Sequence, residues 1–146
     1  MTVPSKALFF EILGIPVPQK QTRFLRSTGI AYNPSKKDEN RIRSHLRPSA
    51  PKEPFSCPIA MAIYFGMPIP KSSSKSLREA MLAGRVCHIK KPDLDNLAYL
   101  VTNALKNLVY SDDSQIVFCI TEKGYDENPR TIIKITPLTG KINAET

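Results

Sequence analysis

The sequence predicts an α/β (α+β) fold: a small single domain whose mixed sheet of about four strands is backed by helices. Three observations carry this. Short apolar runs bounded by Pro and Gly occur at 7–13, 59–65, 115–122 and 131–136. The segment 93–108 repeats its apolar residues at helical spacing. Strand and helix patterns interleave in the order β-α-β-α-α-β-β, which suits one sheet covered by helices.

Residues 7–13 read as a strand stopped by Gly14, Pro16 and Pro18. Residues 19–33 follow as a polar loop with Lys20, Arg23 and Arg26 interleaved with Phe24 and Tyr32. Stacking on unpaired bases is open to both aromatics, but core packing is the expected use of Phe24. Pro34-Ser35 opens a helix to about Arg47, since Pro is tolerated in a first turn. Only Ile42 and Leu46 are apolar in its second half, so a broad face is exposed. Pro48, Pro51, Pro54 and Pro58 make a stiff connector.

The run 59–65 lacks polar alternation, which predicts burial on both faces. Met67-Pro68-Ile69-Pro70 ends it. After a basic, serine-rich loop from Lys71 to Lys75, Ser76 is the expected cap of a short helix to Ala83, with Gly84 as its stop. In 93–108, Leu97, Leu100, Val101, Ala104, Leu105 and Leu108 follow the i, i+3, i+4, i+7 rule. The last two strands, joined through 124–129, are expected to form a hairpin. The domain is expected to span 1–137, with 138–146 a flexible tail.

At 146 residues and 41% hydrophobic content the chain can bury a core. No apolar run approaches the roughly 18 residues of a membrane span. The opening Met1–Lys6 lacks a signal-peptide pattern, so a cytoplasmic protein without a membrane partner is expected. Three cysteines without a CxxC argue against a zinc knuckle or disulfide framework. All three are expected to be structural, with Cys57 and Cys119 small buried hydrophobes. Net charge is +8, divided as +6 over 1–50, +3 over 51–100 and −1 over 101–146. Such a field attracts polyanions.

Within this basic chain, Asp93, Asp95, Asp112 and Asp113 form two close pairs. Gathered carboxylates repel and raise one another's pKa unless a cation lies between them. Two readings stand. Asp93 caps the helix and Asp95 complements its dipole, while Asp112 and Asp113 belong to a polar turn. Alternatively, the carboxylates hold a divalent cation. A helix of about 15 residues is roughly 22 Å long, so the pairs meet only if the next strand runs back beside it. Spacing leaves that open. If they meet, an all-oxygen donor set suits Mg²⁺, with Mn²⁺ as an alternative. Such a metal activates water against a phosphodiester, with His88, Lys90 and Lys91 beside it for phosphate.

The run His88-Ile89-Lys90-Lys91-Pro92-Asp93-Leu94-Asp95-Asn96-Leu97, then Asn103-Ala104-Leu105 and Asp112-Asp113-Ser114-Gln115-Ile116, resembles the RusA family of Holliday-junction resolvases. Pro16-Val17-Pro18-Gln19-Lys20 and Glu122-Lys123-Gly124-Tyr125 extend the resemblance more loosely. The resemblance implies a homodimeric endonuclease that cuts four-way DNA junctions symmetrically with Mg²⁺ in recombination and repair. It assigns Asp93, Asp95 and Asp113 as catalytic carboxylates and metal ligands, with Asp112 and Asn96 as neighbours. The family's catalytic lysine, four residues after the second aspartate, is Tyr99 here, and its aspartate before Ala-Leu is Asn103. A phenol cannot supply the charge of an ammonium, so Lys91, Lys90 or Lys123 are the candidate substitutes.

Lys20, Arg23, Arg26, Lys71, Lys75, His88 and Lys90 are the main candidate DNA contacts, with Lys36, Lys37, Arg41 and Arg85 behind them. His45, among arginines, reads as solvent-facing. Two other functions compete: a junction-binding protein with weak or no cleavage because of Tyr99, and a basic RNA-binding module whose aspartates only cap and turn.

Overall fold

The computed structural model describes residues 6–138. Apart from Leu138, the expected C-terminal tail lies outside the described residues, as do residues 1–5. The strands are β1 (Leu8–Leu13), β2 (Arg23–Phe24), β3 (Ala31–Tyr32), β4 (Ile59–Pro68), β5 (Ile116–Asp126) and β6 (Arg130–Pro137). The helices are α1 (Lys36–Leu46), α2 (Lys75–Leu82) and α3 (Leu94–Leu105), with short 3₁₀ turns at Arg47–Ser49 and Asp113–Gln115. The predicted mixed sheet of four strands with three helices is present. The small hairpin β2–β3 inside the polar loop is an addition, too short to produce a periodic signal.

Four strands form one sheet in the order β1-β6-β4-β5, with β4 and β5 parallel and β6 antiparallel to β1 and β4. Ile59, Met61, Ile63, Phe65 and Met67 of β4 are buried. They meet Ile42 and Leu46 of α1 and Leu97, Leu100, Val101, Ala104 and Leu105 of α3 in one core. Ala60, Ala62 and Tyr64, on the opposite face of β4, are only half-buried. Burial on both faces is therefore corrected: helices cover one face, and two alanines disguised a period-2 strand as a continuous apolar run.

The expected terminal hairpin is also corrected. β5 and β6 do not pair; they flank β4 on opposite sides. The chain crosses the end of β4 through 126–130, and there Asp126 gathers three donors. Its carboxylate accepts from Tyr64 Oη at 3.1 Å, Arg130 Nε at 3.1 Å and the Asn128 backbone N–H at 2.9 Å. Burial first, and then the Asp126 bond, push the Tyr64 phenol up to about 12. Gly66 makes the crossing possible, because a Cβ there would lie 2.8 Å from Asp126 Cβ. Gly66→Ala is therefore expected to destabilise the fold by about 1–3 kcal/mol. A urea midpoint equal to that of the native chain would refute this.

The α3 pattern stops earlier than expected. Lys106 is extended and Asn107 has φ 64°, while Leu108, Val109 and Tyr110 are buried in an irregular turn. The apolar spacing continues because that turn also fills the core. Arg43 Nη1 donates to the Ala104 and Lys106 carbonyls at 2.9 and 2.6 Å, satisfying the end of α3 from α1. Ser74, rather than Ser76, caps α2, accepting from the Leu77 N–H at 3.2 Å. Cys57 is half-buried, but Cys119 is exposed with Cys87. The expectation of a buried Cys119 fails because β5 is an edge strand. Phe24 is likewise outside the core, 68% exposed.

Candidate active site and nucleic-acid interface

Asp93 occupies the N-cap position of α3 with extended backbone, yet its side chain caps nothing. It accepts from Lys91 Nζ at 2.7 Å and remains half-exposed. Asp95 lies in the first turn, exposed, with Oδ1 accepting from the Asn96 N–H at 2.9 Å. Both carboxylates thus stand at the positive end of the helix dipole and face solvent. The ion pair with Asp93 raises the Lys91 pKa.

Lys123 supports the segment that leads into this pair. From β5, its Nζ donates to the Lys90 carbonyl at 2.8 Å and the Pro92 carbonyl at 2.9 Å. Its ammonium is spent on fastening the loop to the sheet. Tyr99, one turn beyond Asp95, is 54% exposed, and Asn103 lies one turn further, half-buried.

The second acidic pair divides its work. Asp112 accepts from the Ser114 N–H at 3.1 Å and pairs with Lys106 Nζ at 3.3 Å, closing a capping box with Gln115. Bonds from Ser114, then Lys106, hold its carboxyl down at about 2. Asp112 is a structural cap. Gln115 completes the turn by donating to the Phe55 and Cys57 carbonyls and accepting from Ser111 and Asp112. Asp113 accepts from Tyr110 Oη at 3.2 Å, and the same hydroxyl reaches the Thr102 carbonyl at 3.0 Å. Tyr110, fully buried, is the positioning group that sequence reading missed; its only signal was an aromatic three residues before the aspartate. Burial, then Asp113, raises its pKa.

Asp113 therefore sits near Thr102, seven residues and about 10 Å of helix axis from Asp95. Two carboxylate oxygens on one Mg²⁺ at about 2.1 Å lie within roughly 4 Å of each other. Among the described residues no group of three or more His, Cys, Asp or Glu is arranged to hold a metal. Asp93 and Asp95 both stand at the start of α3, and Asp113 lies toward its other end. The donor chemistry of the three expected ligands suits a hard cation.

The surroundings are basic. Lys71, Lys75 and Lys90 are exposed, near the ends of β4 and β5 where α3 begins. Ligands of such parallel units gather at that edge. His88 is packed edge-on against Tyr125, ring centroids 4.9 Å apart. Burial, then Lys123, lowers its pKa and favours the neutral ring. Lys20, Arg23 and Arg26 are exposed on the segment around β2. A cleft lined by Ile12, Leu13, Arg41, Ile42 and His45 lies between β1 and α1, away from the carboxylates. Asp93 and Asp95 stand on open surface, as suits a macromolecular substrate.

The family model described as "Endodeoxyribonuclease RusA" matches residues 14–136. The chain belongs to the RusA endodeoxyribonuclease family. The match includes both aspartate pairs, β4, β5 and all of β6 but Pro137, and begins at the residue after β1. The RusA-family chain is also 30% identical over 132 residues to an uncharacterized protein, YqaN, of Bacillus subtilis (strain 168), covering 86% of this chain and 93% of that relative. No described helix is long and apolar enough to cross a membrane.

Proposed function

We propose that this RusA-family chain is a Mg²⁺-dependent endonuclease that resolves four-way DNA junctions by symmetric phosphodiester hydrolysis, in recombination and repair in the cytoplasm. The observation that carries it is the outward-facing Asp93–Asp95 pair at the start of α3, in which Asp93 makes no capping bond and is paired with Lys91. Asp93 and Asp95 would hold the metal, with Mn²⁺ an alternative to Mg²⁺. When bound, the metal polarises the phosphodiester and activates the attacking water. Lys91 holds Asp93 in place beforehand, Lys123 fixes the loop, and Lys71, Lys75 and Lys90 attract phosphates.

The third carboxylate comes from a second copy in this reading. β5 is an uncovered sheet edge on which Val117, Phe118, Cys119 and Ile120 are all exposed. A bare apolar edge is a template for another strand. Two-fold pairing of like strands is antiparallel. Centred on Phe118, it sets residue 113 of each chain opposite the partner subunit's Lys123, beside the loop that leads to Asp93. The dimer interface and the completed ligand set then have one cause.

The test is to incubate the protein with four-way, forked and linear DNA, with and without Mg²⁺, and map the cuts. Paired symmetric cuts in the four-way junction alone, only with Mg²⁺, are expected. Tight junction binding without cuts would favour the binding-protein reading, motivated by the exposed Tyr99 phenol where a lysine is expected. Preference for RNA without metal dependence would refute both.

A further inference from the structure

Residues 20–33 are exposed at every position. They hold Lys20, Arg23 and Arg26 and no acidic residue. β2 and β3 pair antiparallel within this segment, Arg23 opposite Tyr32 and Phe24 opposite Ala31. The tip is closed by the Leu25 N–H to the Ile30 carbonyl at 2.9 Å and the Gly29 N–H to the Leu25 carbonyl at 2.8 Å. Gly29, at φ 68°, takes the left-handed turn. The result is a projecting arm with Phe24 and Ile30 held in water, 68% and 60% exposed.

The root of the arm is fixed. Gln19 Nε2 donates to Asn33 Oδ1 at 3.2 Å, joining its two strands, and the Lys20 N–H donates to Ser35 Oγ at 2.7 Å. The Gln19 N–H donates to the Asn96 carbonyl at 2.9 Å, on the residue after Asp95. From that root, the seven residues to Arg26 can span at most about 23 Å, against the roughly 12 Å width of a DNA major groove.

An isolated two-stranded hairpin gains little stability in water, and this one buries none of its large apolar side chains. Its charge selects a polyanion. Arginines beside an exposed aromatic are the elements of a base-stacking platform. Stacking needs a base already released from its neighbours, which the exchange point of a branched DNA offers and the interior of a linear duplex does not. We propose that the 20–33 arm enters the exchange point of the junction and stacks Phe24 on a base whose face is uncovered there, giving the protein its preference for branched over linear DNA. Arg23 and Arg26 hold the flanking phosphates. The proposal rests on the junction-nuclease reading above.

The test uses the full chain in EDTA, with a four-way junction carrying 2-aminopurine at the exchange point and a linear duplex of the same sequence. The wild type is expected to favour the junction and to change its fluorescence. Phe24→Ala is expected to lose about tenfold in junction affinity, to keep its duplex affinity, and to leave the fluorescence as in free DNA. Phe24→Trp should restore both. Arg23→Ala with Arg26→Ala should weaken junction and duplex alike and lower the salt dependence. Melting temperatures should be unchanged, since every altered side chain is exposed. An unaltered junction-to-duplex ratio and fluorescence response in Phe24→Ala overturns the arm proposal alone. A wild type without junction preference overturns the junction reading as well.

Discussion

Asp95→Asn and Asp113→Asn are each expected to abolish junction cleavage, by at least about a hundredfold, and to regain it when the two proteins are mixed. Each substitution removes a ligand charge while leaving the fold and the junction affinity in place. If the ligand set joined residues of one chain, every site in the mixture would remain broken. The geometry gives a different count. Asp113 is tied to Tyr110 and Thr102, about two helical turns from Asp95, and on the proposed reading a site with all three carboxylates takes Asp113 from the partner. A mixed dimer then has one doubly broken site and one intact site. With free exchange about half the dimers are mixed, so nicking returns at about a quarter of the native number of sites. The products should be nicked junctions rather than resolved duplexes. Mixed dimers that are shown to be present by mass and still do not cut would refute the shared site.

Lysine at Phe118 and Ile120 together is expected to give a monomer that no longer cuts. Both side chains are exposed, 56% and 55%, on the free edge strand, so the single chain should fold with nearly native melting. Charge on an edge strand is a natural block to strand pairing. Sedimentation should report half the native mass, and cleavage should fall with it because each site loses its Asp113. Duplex binding should weaken far less, since the cations remain. A cleaving monomer would show that one chain suffices. A variant that stays dimeric would move the interface elsewhere, with the open face of β1, β6 and β4 next in line, where Phe9 is 66% exposed.

Much of the fold was readable because it depends on local periodicity. Leu97, Leu100, Val101, Ala104 and Leu105 announced α3, and all are buried. The apolar runs located the four long strands to within a few residues, except that β5 continues to Asp126. Errors came where a local pattern had more than one long-range solution. The run from 115 to 136 has the composition of a hairpin, but β6 gains more by inserting between β1 and β4, where Ile133 and Ile135 become fully buried. Phe24 has the composition of a core residue, yet the Gln19–Asn33 clasp projects its segment into solvent.

The site divides in the same way. Sequence alone determined the identity and order of the carboxylates, the tyrosine at position 99, the basic surroundings and the RusA-family kinship. These are properties of residue type and spacing along the chain. Tertiary structure decided that Asp112 is a cap, that Lys123 holds a loop, that the Asp93 side chain caps nothing, and that Asp113 lies apart from Asp93 and Asp95. Those outcomes depend on which strands pair and where a side chain finds its hydrogen-bond partner. Both are settled by contacts among residues far apart in sequence, to which no local pattern responds.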